Sequence, residues 1–211
     1  MMKAGRMTVR VDLKDFKITY EADGKVLTNI GFRNLGYMQY DRATLTKFPE
    51  PNYMAAQYQP YMVTELSLAP GECVYGLGER FTAFVKNGQV VDIWNEDGGT
   101  ASQISYKNIP FYVTSKHYGV FVDHSDHVSF EVASEKVENV GFSVKGEEIR
   151  YHIIYGDDIK GVIENYTDLT GKPALRLHGP LDYGFPHPLQ QTMMKRRPIP
   201  LSREWQTEIF H

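Results

Sequence analysis

Residues able to do chemistry concentrate between Tyr75 and Tyr112. Glu79, Glu96 and Asp97 are carboxylates close in the chain, and a carboxylate pair flanking a glycosidic bond can supply acid and nucleophile for its cleavage. Chain spacing does not fix their separation in space. Carboxylates next to Arg80 and Lys86 more often form ion pairs or exposed charge. Trp94 with Asn95 and Asp97 is the stronger combination. An indole is a flat plate for stacking on a sugar ring, while the amide and carboxylate hydrogen-bond its hydroxyls. Gly98 and Gly99 follow, where the backbone can come close to a ligand or a neighbouring domain.

Other clusters carry less. Asp123-His124-Ser125-Asp126-His127 gathers two imidazoles and two carboxylates of types that suit a divalent ion. Adjacent side chains in a turn diverge, however, so solvated turn polarity is the favoured reading. Paired with Glu79, His124 or His127 would be the acid and base of a sugar epimerase. Cys73, the lone cysteine, has no evident activating neighbour and reads as an inert thiol. Gly76-x-Gly78 is not followed by a helical pattern, so it is not a dinucleotide fingerprint. No cofactor or metal is expected.

The elements that must position these residues read as β structure. Fourteen Tyr and eleven Phe favour strands. Polar and apolar residues alternate in 8–11 and 16–20, and Asp23-Gly24 supplies a hairpin turn before Val26 and Leu27. Residues 29–60 read as short strands and loops. Further strands are expected at 63–68, 111–114, 120–123, 128–132, 137–144 and 149–154, separated by turn residues. Such regular spacing points to a sandwich or barrel of antiparallel sheets. Ile159, Val162, Ile163, Tyr166 and Leu169 form one helical stripe, opened by Asp157 or Asp158 and closed by Gly171 and Pro173. Net charge of −3 without a basic block gives no footprint for nucleic acid or an anionic membrane. No apolar run reaches the roughly 18 residues that span a bilayer. A single cysteine and no signal-peptide pattern point to the cytoplasm.

Four stretches together resemble bacterial α-xylosidases of glycoside hydrolase family 31. They are Tyr75-Gly76-Leu77-Gly78-Glu79-Arg80-Phe81, Trp94-Asn95-Glu96-Asp97-Gly98-Gly99, Tyr106-Lys107-Asn108-Ile109-Pro110-Phe111-Tyr112 and Thr170-Gly171-Lys172-Pro173-Ala174-Leu175. Their order and spacing match from about Met7 to Leu175. The resemblance implies an antiparallel β-sandwich of the galactose-mutarotase-like type, packed in the family on a barrel that holds the catalytic aspartates. It implies that Asp97 reaches substrate near the leaving-group sugar. The expected ligand is an α-xyloside or related oligosaccharide, and the longer enzyme is expected to be a homo-oligomer. A stand-alone carbohydrate-binding module and a mutarotase-like epimerase are the alternatives.

Two departures set the expected domain limits. The family's sandwich begins well upstream, so Met1 falls inside it and residues 1–175 are an incomplete N-terminal sandwich. After the position of Leu175 the family continues Pro-Pro-Ala-Trp-Ser-Phe-Gly-Leu-Trp, whereas this chain turns to Arg176-Leu177-His178-Gly179 and a proline-rich, irregular tail, 176–211. Among the synonymous codons open to Arg176 to Gly184, one permitted set is CGC CTG CAT GGT CCT TTG GAC TAT GGT. One C placed in front regroups them to CCG CCT GCA TGG TCC TTT GGA CTA TGG, which spells the family's continuation. A base lost near the Leu175 codon would therefore leave 176–211 as out-of-frame translation, without a native fold. The chain would carry the substrate-loop domain but not the catalytic carboxylates.

Overall fold

Among the described residues of the computed structural model (1–41, 58–96 and 104–173), thirteen strands and one helix form. The expectations for Asp97, Gly98, Gly99 and residues 174–211 lie outside the described residues. The chain divides into two units, Met1–Gly171 and Lys172–His211, and these strands and the helix all belong to the first.

The alternating N-terminal sequence becomes β1 (Met2–Ala4), β2 (Met7–Asp12), β3 (Lys17–Ala22) and β4 (Lys25–Ile30), an antiparallel sheet in that order. Its register sets Val9 against Tyr20 and Val11 against Ile18, so the apolar residues share one face. Asp23 and Gly24 turn the β3–β4 hairpin with φ of 49° and 76°, the pair of positive values that a type I′ turn demands. A second sheet runs β5 (Leu35–Asp41), β6 (Tyr58–Ser67), β12 (Asn139–Lys145), β11 (Val128–Val132), β8 (Gln89–Ile93). The third runs β13 (Tyr151–Tyr155), β10 (Tyr118–Val122), β9 (Phe111–Thr114), β7 (Val74–Gly76). All of the strand pairs are antiparallel.

One core joins the three sheets. Tyr112, Tyr118, Val120 and Val122 from the third sheet meet Phe130, Phe142, Val144 and Leu66 from the second, and Ala22, Leu27 and Ile30 from the first. Tyr112 stands edge-on to Phe130 at 6.2 Å, and Tyr20 packs on Tyr151 across the layers with their hydroxyls 2.6 Å apart. The first sheet is stitched to β6 through Thr28 Oγ1 donating to the Ser67 carbonyl.

Strand β9 is buried on both faces. Its inward residues fill this core, while Phe111 and Val113 face α1 (Ile159–Thr170) with Ile154 and Val162. Tyr166 stacks on Phe111 at 4.0 Å. Asp158 caps the helix by accepting from the Gly161 N–H, and the Gly171 N–H returns to Thr167 O, the stop the sequence placed there. Gly156 lets the helix sit close, since a Cβ there would lie 2.4 Å from the Val162 nitrogen. Arg6 ties the β1–β2 turn to this end of the molecule, donating to Asp23 and to Asp157 and lying over the Tyr155 ring. The Arg6 guanidinium holds the Asp23 carboxyl below the usual carboxylate range.

Three expected boundaries move. The strand expected at 137–144 begins at Asn139, because the turn closed by Asn139 N–H on Lys136 O leaves Val137 exposed. The one expected at 149–154 starts at Tyr151. Tyr118 and Gly119, expected in a turn, start β10 instead, and only His117 adopts the left-handed turn conformation (φ 62°).

The Tyr112 hydroxyl is fully buried with no hydrogen-bond partner among the described residues, and burial drives its ionisation well above the ordinary phenol range. Removing an unsatisfied buried hydroxyl relieves a desolvation penalty. Tyr112→Phe is therefore expected to leave stability unchanged or raise it by up to about 1 kcal/mol, whereas Phe130→Ala lowers it by about 3–5 kcal/mol. Urea unfolding of the two variants beside the parent checks both signs.

Candidate functional site

Strand β8 ends at Ile93, and Trp94 and Asn95 continue from it toward the segment 97–103. On the far side of that segment Ser105 returns to bridge Asn95, and the Glu96 N–H donates to Ser105 O at 3.0 Å. Asn95 and Glu96 are thus held to Ser105 by backbone bonds. Residues 76–80 lie against the returning chain: Leu77 N–H donates to Phe111 O and Glu79 N–H to Lys107 O, both at 2.9 Å.

Asn108 is the centre of this arrangement. Its side-chain amide donates to Trp94 O (2.7 Å), Ser105 O (2.6 Å) and Asn95 Oδ1 (3.1 Å), and its backbone N–H also reaches Asn95 Oδ1. Its Oδ1 accepts from Arg80. The same guanidinium donates to the carbonyls of Leu77 and Asp92, so it spans the loop and the end of β8. Ser105 Oγ closes the frame by donating to Glu79 O and accepting from the Lys107 N–H. Gly78 permits the contact: its φ is +86° and a Cβ would lie 2.1 Å from Lys107 O, so no other residue fits. Lys86 anchors the connecting loop, its buried ammonium donating to Thr82 Oγ1 and Ala83 O. Burial, then the nearby Arg80, lowers its affinity for the proton.

A cleft of about 300 Å³ opens beside the frame, lined by Trp94, Asn95, Asn108, His124, Ser125 and Asp126 among others. Trp94 is 53% exposed and packs one side on His127, ring centres 6.2 Å apart. Asp126 is held below the usual carboxylate range, first by the His127 N–H and also by Lys145, which lies 3.6 Å away. An exposed aromatic plate, fixed amides and an ionised carboxylate can stack on and hydrogen-bond a neutral polyhydroxyl ligand.

The sequence-derived candidates divide. Trp94 and Asn95 sit at the cleft; Asp97, which follows Glu96, lies outside the described residues. Glu79 pairs with Lys107 at 3.0 Å in an exposed position. No hydrogen bond or ion pair among the described residues joins Glu79 to His124 or His127, so the acid–base pair of an epimerase is not assembled by direct contact. No group of three His, Cys, Asp or Glu among the described residues is arranged to hold a metal ion. Sequence reasoning gave no role to Ser105 or Asn108 and read Arg80 only as an ion-pair neighbour of the carboxylates, whereas it bonds Asn108 and two carbonyls. Their bonds span up to 28 residues of chain, and only the two glycines at 76 and 78 hinted that another backbone comes close.

Asn108→Asp keeps the shape of the side chain but loses the donors to Trp94 O and Ser105 O, and turns a carboxylate toward two carbonyls. It is expected to cost about 1–3 kcal/mol and to shift the Trp94 indole N–H resonance. Urea unfolding and heteronuclear NMR read the two effects. An unmoved indole would show that the amide does not hold the plate.

A family model described as the glycosyl hydrolase 31 N-terminal galactose mutarotase-like domain matches residues 2–131. An α-xylosidase of Emericella nidulans is 47% identical over 180 residues, which cover 82% of this chain and 23% of the relative. The α-xylosidase XylQ of Lactiplantibacillus pentosus is 44% identical over 185 residues, 87% of this chain and 22% of the relative. The chain thus spans less than a quarter of the length of these relatives. A Flavobacterium johnsoniae glycoside hydrolase family 31 dextranase, solved with glucose, shares the fold with a TM-score of 0.65 over 82% of this chain and 19% of that one, at 24% identity.

Proposed function

Because the chain belongs to the family of glycosyl hydrolase 31 N-terminal galactose mutarotase-like domains, we propose that it serves as the saccharide-facing domain of an α-xyloside-hydrolysing enzyme. The observation that carries this reading is the half-exposed Trp94 plate, locked beside Asn95 by Asn108 at the mouth of a polar cleft. The identity of 47% and 44% to two α-xylosidases supports an α-xyloside rather than another sugar. Trp94 stacks on the ring, Asn95 bonds its hydroxyls, and Asp97 contacts the sugar on the leaving-group side. The longer enzyme is a cytoplasmic homo-oligomer, a compartment that suits the single free thiol at Cys73.

Retaining hydrolysis needs two carboxyl groups about 5 Å apart across the bond that breaks. Glu79 is bound to a lysine in solvent, which suits neither a nucleophile nor an acid. The purified chain is accordingly expected to leave an aryl α-xyloside uncleaved and to bind methyl α-xyloside in the millimolar range, with saturable shifts of the Trp94 indole that vanish in Asp97→Ala. Turnover by pure protein would contradict the first expectation. Flat titrations would contradict the second.

We also propose that 176–211 is out-of-frame translation, supported by a set of codons permitted for Arg176 to Gly184 whose regrouping spells the family's continuation. Sequencing the locus tests this. A single-base insertion near the Leu175 codon should open a long frame beginning Pro-Pro-Ala-Trp, and its absence would refute the idea.

A further inference from the structure

Strand β5 ends its sheet, paired with β6 on one side only. Among the described residues nothing pairs with its other edge. Which backbone groups face outward follows from the register. Glu65 N–H donates to Asn34 O, so the Asn34–Glu65 pair is of the hydrogen-bonded kind. Alternation then turns the N–H and C=O of Gly36, Met38 and Tyr40 toward β6. Those of Leu35, Tyr37 and Gln39 point outward. Pro60, opposite Gln39, agrees with this assignment: it needs no donor toward β5, and its carbonyl accepts from Gly146 on the other side.

The remaining edges carry the features that usually block strand addition. Strands β1 and β7 have three residues each. The β8 edge has Arg80 on the Asp92 carbonyl, β4 carries Lys25 and pairs across a bulge, and β13 has Asn165 on Tyr155 O. Strand β5 has none of these. Leu35-Gly36-Tyr37-Met38-Gln39-Tyr40 holds no Lys, no Pro and no charge, the strand's one charged residue being its last, Asp41, and Leu35, Tyr37, Met38 and Tyr40 are exposed.

We propose that β5 pairs antiparallel with β5 of a second copy of this chain, about a two-fold axis at Met38. The strand is self-complementary in that register. Tyr37 meets Gln39 of the copy as a hydrogen-bonded pair, using the outward groups of both residues, and the Gln39 amide that now donates to Tyr37 OH at 2.8 Å has the same hydroxyl across the axis. Tyr40 falls opposite Gly36 of the copy, where an aromatic ring covers a bare glycine. No charge opposes a like charge between Leu35 and Tyr40. Met38 faces itself in a non-hydrogen-bonded pair with Cα atoms about 4.5 Å apart. The result is one continuous ten-stranded sheet with a closed, isologous interface. This pairing does not depend on the saccharide reading above.

Two variants test it on the full chain. In a Cys73→Ser background, Met38→Cys should form an intermolecular disulfide under mild oxidation, because the separation lies within the range a disulfide spans. Tyr37→Cys, placed opposite Gln39 of the copy, should not. Gln39→Pro removes an N–H that points away from β6, so β5 stays in its sheet while the outward ladder breaks. Sedimentation velocity at tens of micromolar should show a mass twice that of the chain for the parent and a single chain for Gln39→Pro, with the far-ultraviolet spectrum unchanged. A monomeric parent, open-ended aggregates, or equal cross-linking at positions 37 and 38 would each overturn the proposal.

Discussion

The side-chain amide of Asn108 is the constraint on which the exposed end of this sandwich depends. Four residues that come from three separate stretches of chain, Arg80, Trp94, Asn95 and Ser105, meet only because that amide takes one donor and offers its own hydrogens to three acceptors. Two residues further on, Pro110 leads directly into β9, the strand buried on both faces. The frame around Trp94 is therefore an extension of the core rather than a loop laid over it. A cleft that faces solvent can stay in one shape when its floor is continuous with a strand that cannot move.

The same logic explains why the molecule tolerates awkward groups. Gly78 takes a left-handed conformation open to glycine and lies close to the Lys107 carbonyl, and the bonds of Leu77 and Glu79 on either side hold it there. Lys86 is a buried cation, yet two oxygens of its own loop receive its ammonium. The buried hydroxyl of Tyr112, by contrast, has no such compensation among the described residues. Such orphaned groups are not confined to the space between sheets, since His124 Nε2 at the cleft is also buried without a hydrogen-bond partner among the described residues.

Local signals in the chain were sufficient for much of this architecture. The alternation in β2 and β3, the Asp23-Gly24 turn, and the Asp158 and Gly171 ends of the helix each depend on neighbours within a few residues, so they could be read directly. Strands β7 and β8 could not. The first has three residues, and the second ends where Trp94 and Asn95 begin, so neither presents a period long enough to recognise. Val137 looked like a strand residue by type, but the turn at Lys136 and Asn139 leaves it in solvent. Trp94 and Asn95 were singled out from their chemistry alone, as an aromatic plate beside an amide. The roles of Arg80, Ser105 and Asn108 are long-range hydrogen bonds, which leave no pattern in a single sequence.

Hydrogen exchange at the amides of Glu79, Glu96 and Asn108 tests the central point most directly, since their acceptors are Lys107 O, Ser105 O and Asn95 Oδ1. If the frame is part of the core, these three amides are protected nearly as well as Tyr112 in β9, and Asn108→Asp strips their protection while leaving that of Tyr112 in place. Exchange as fast as at Ser125 in the open turn, or loss of protection at all four positions together, would contradict it.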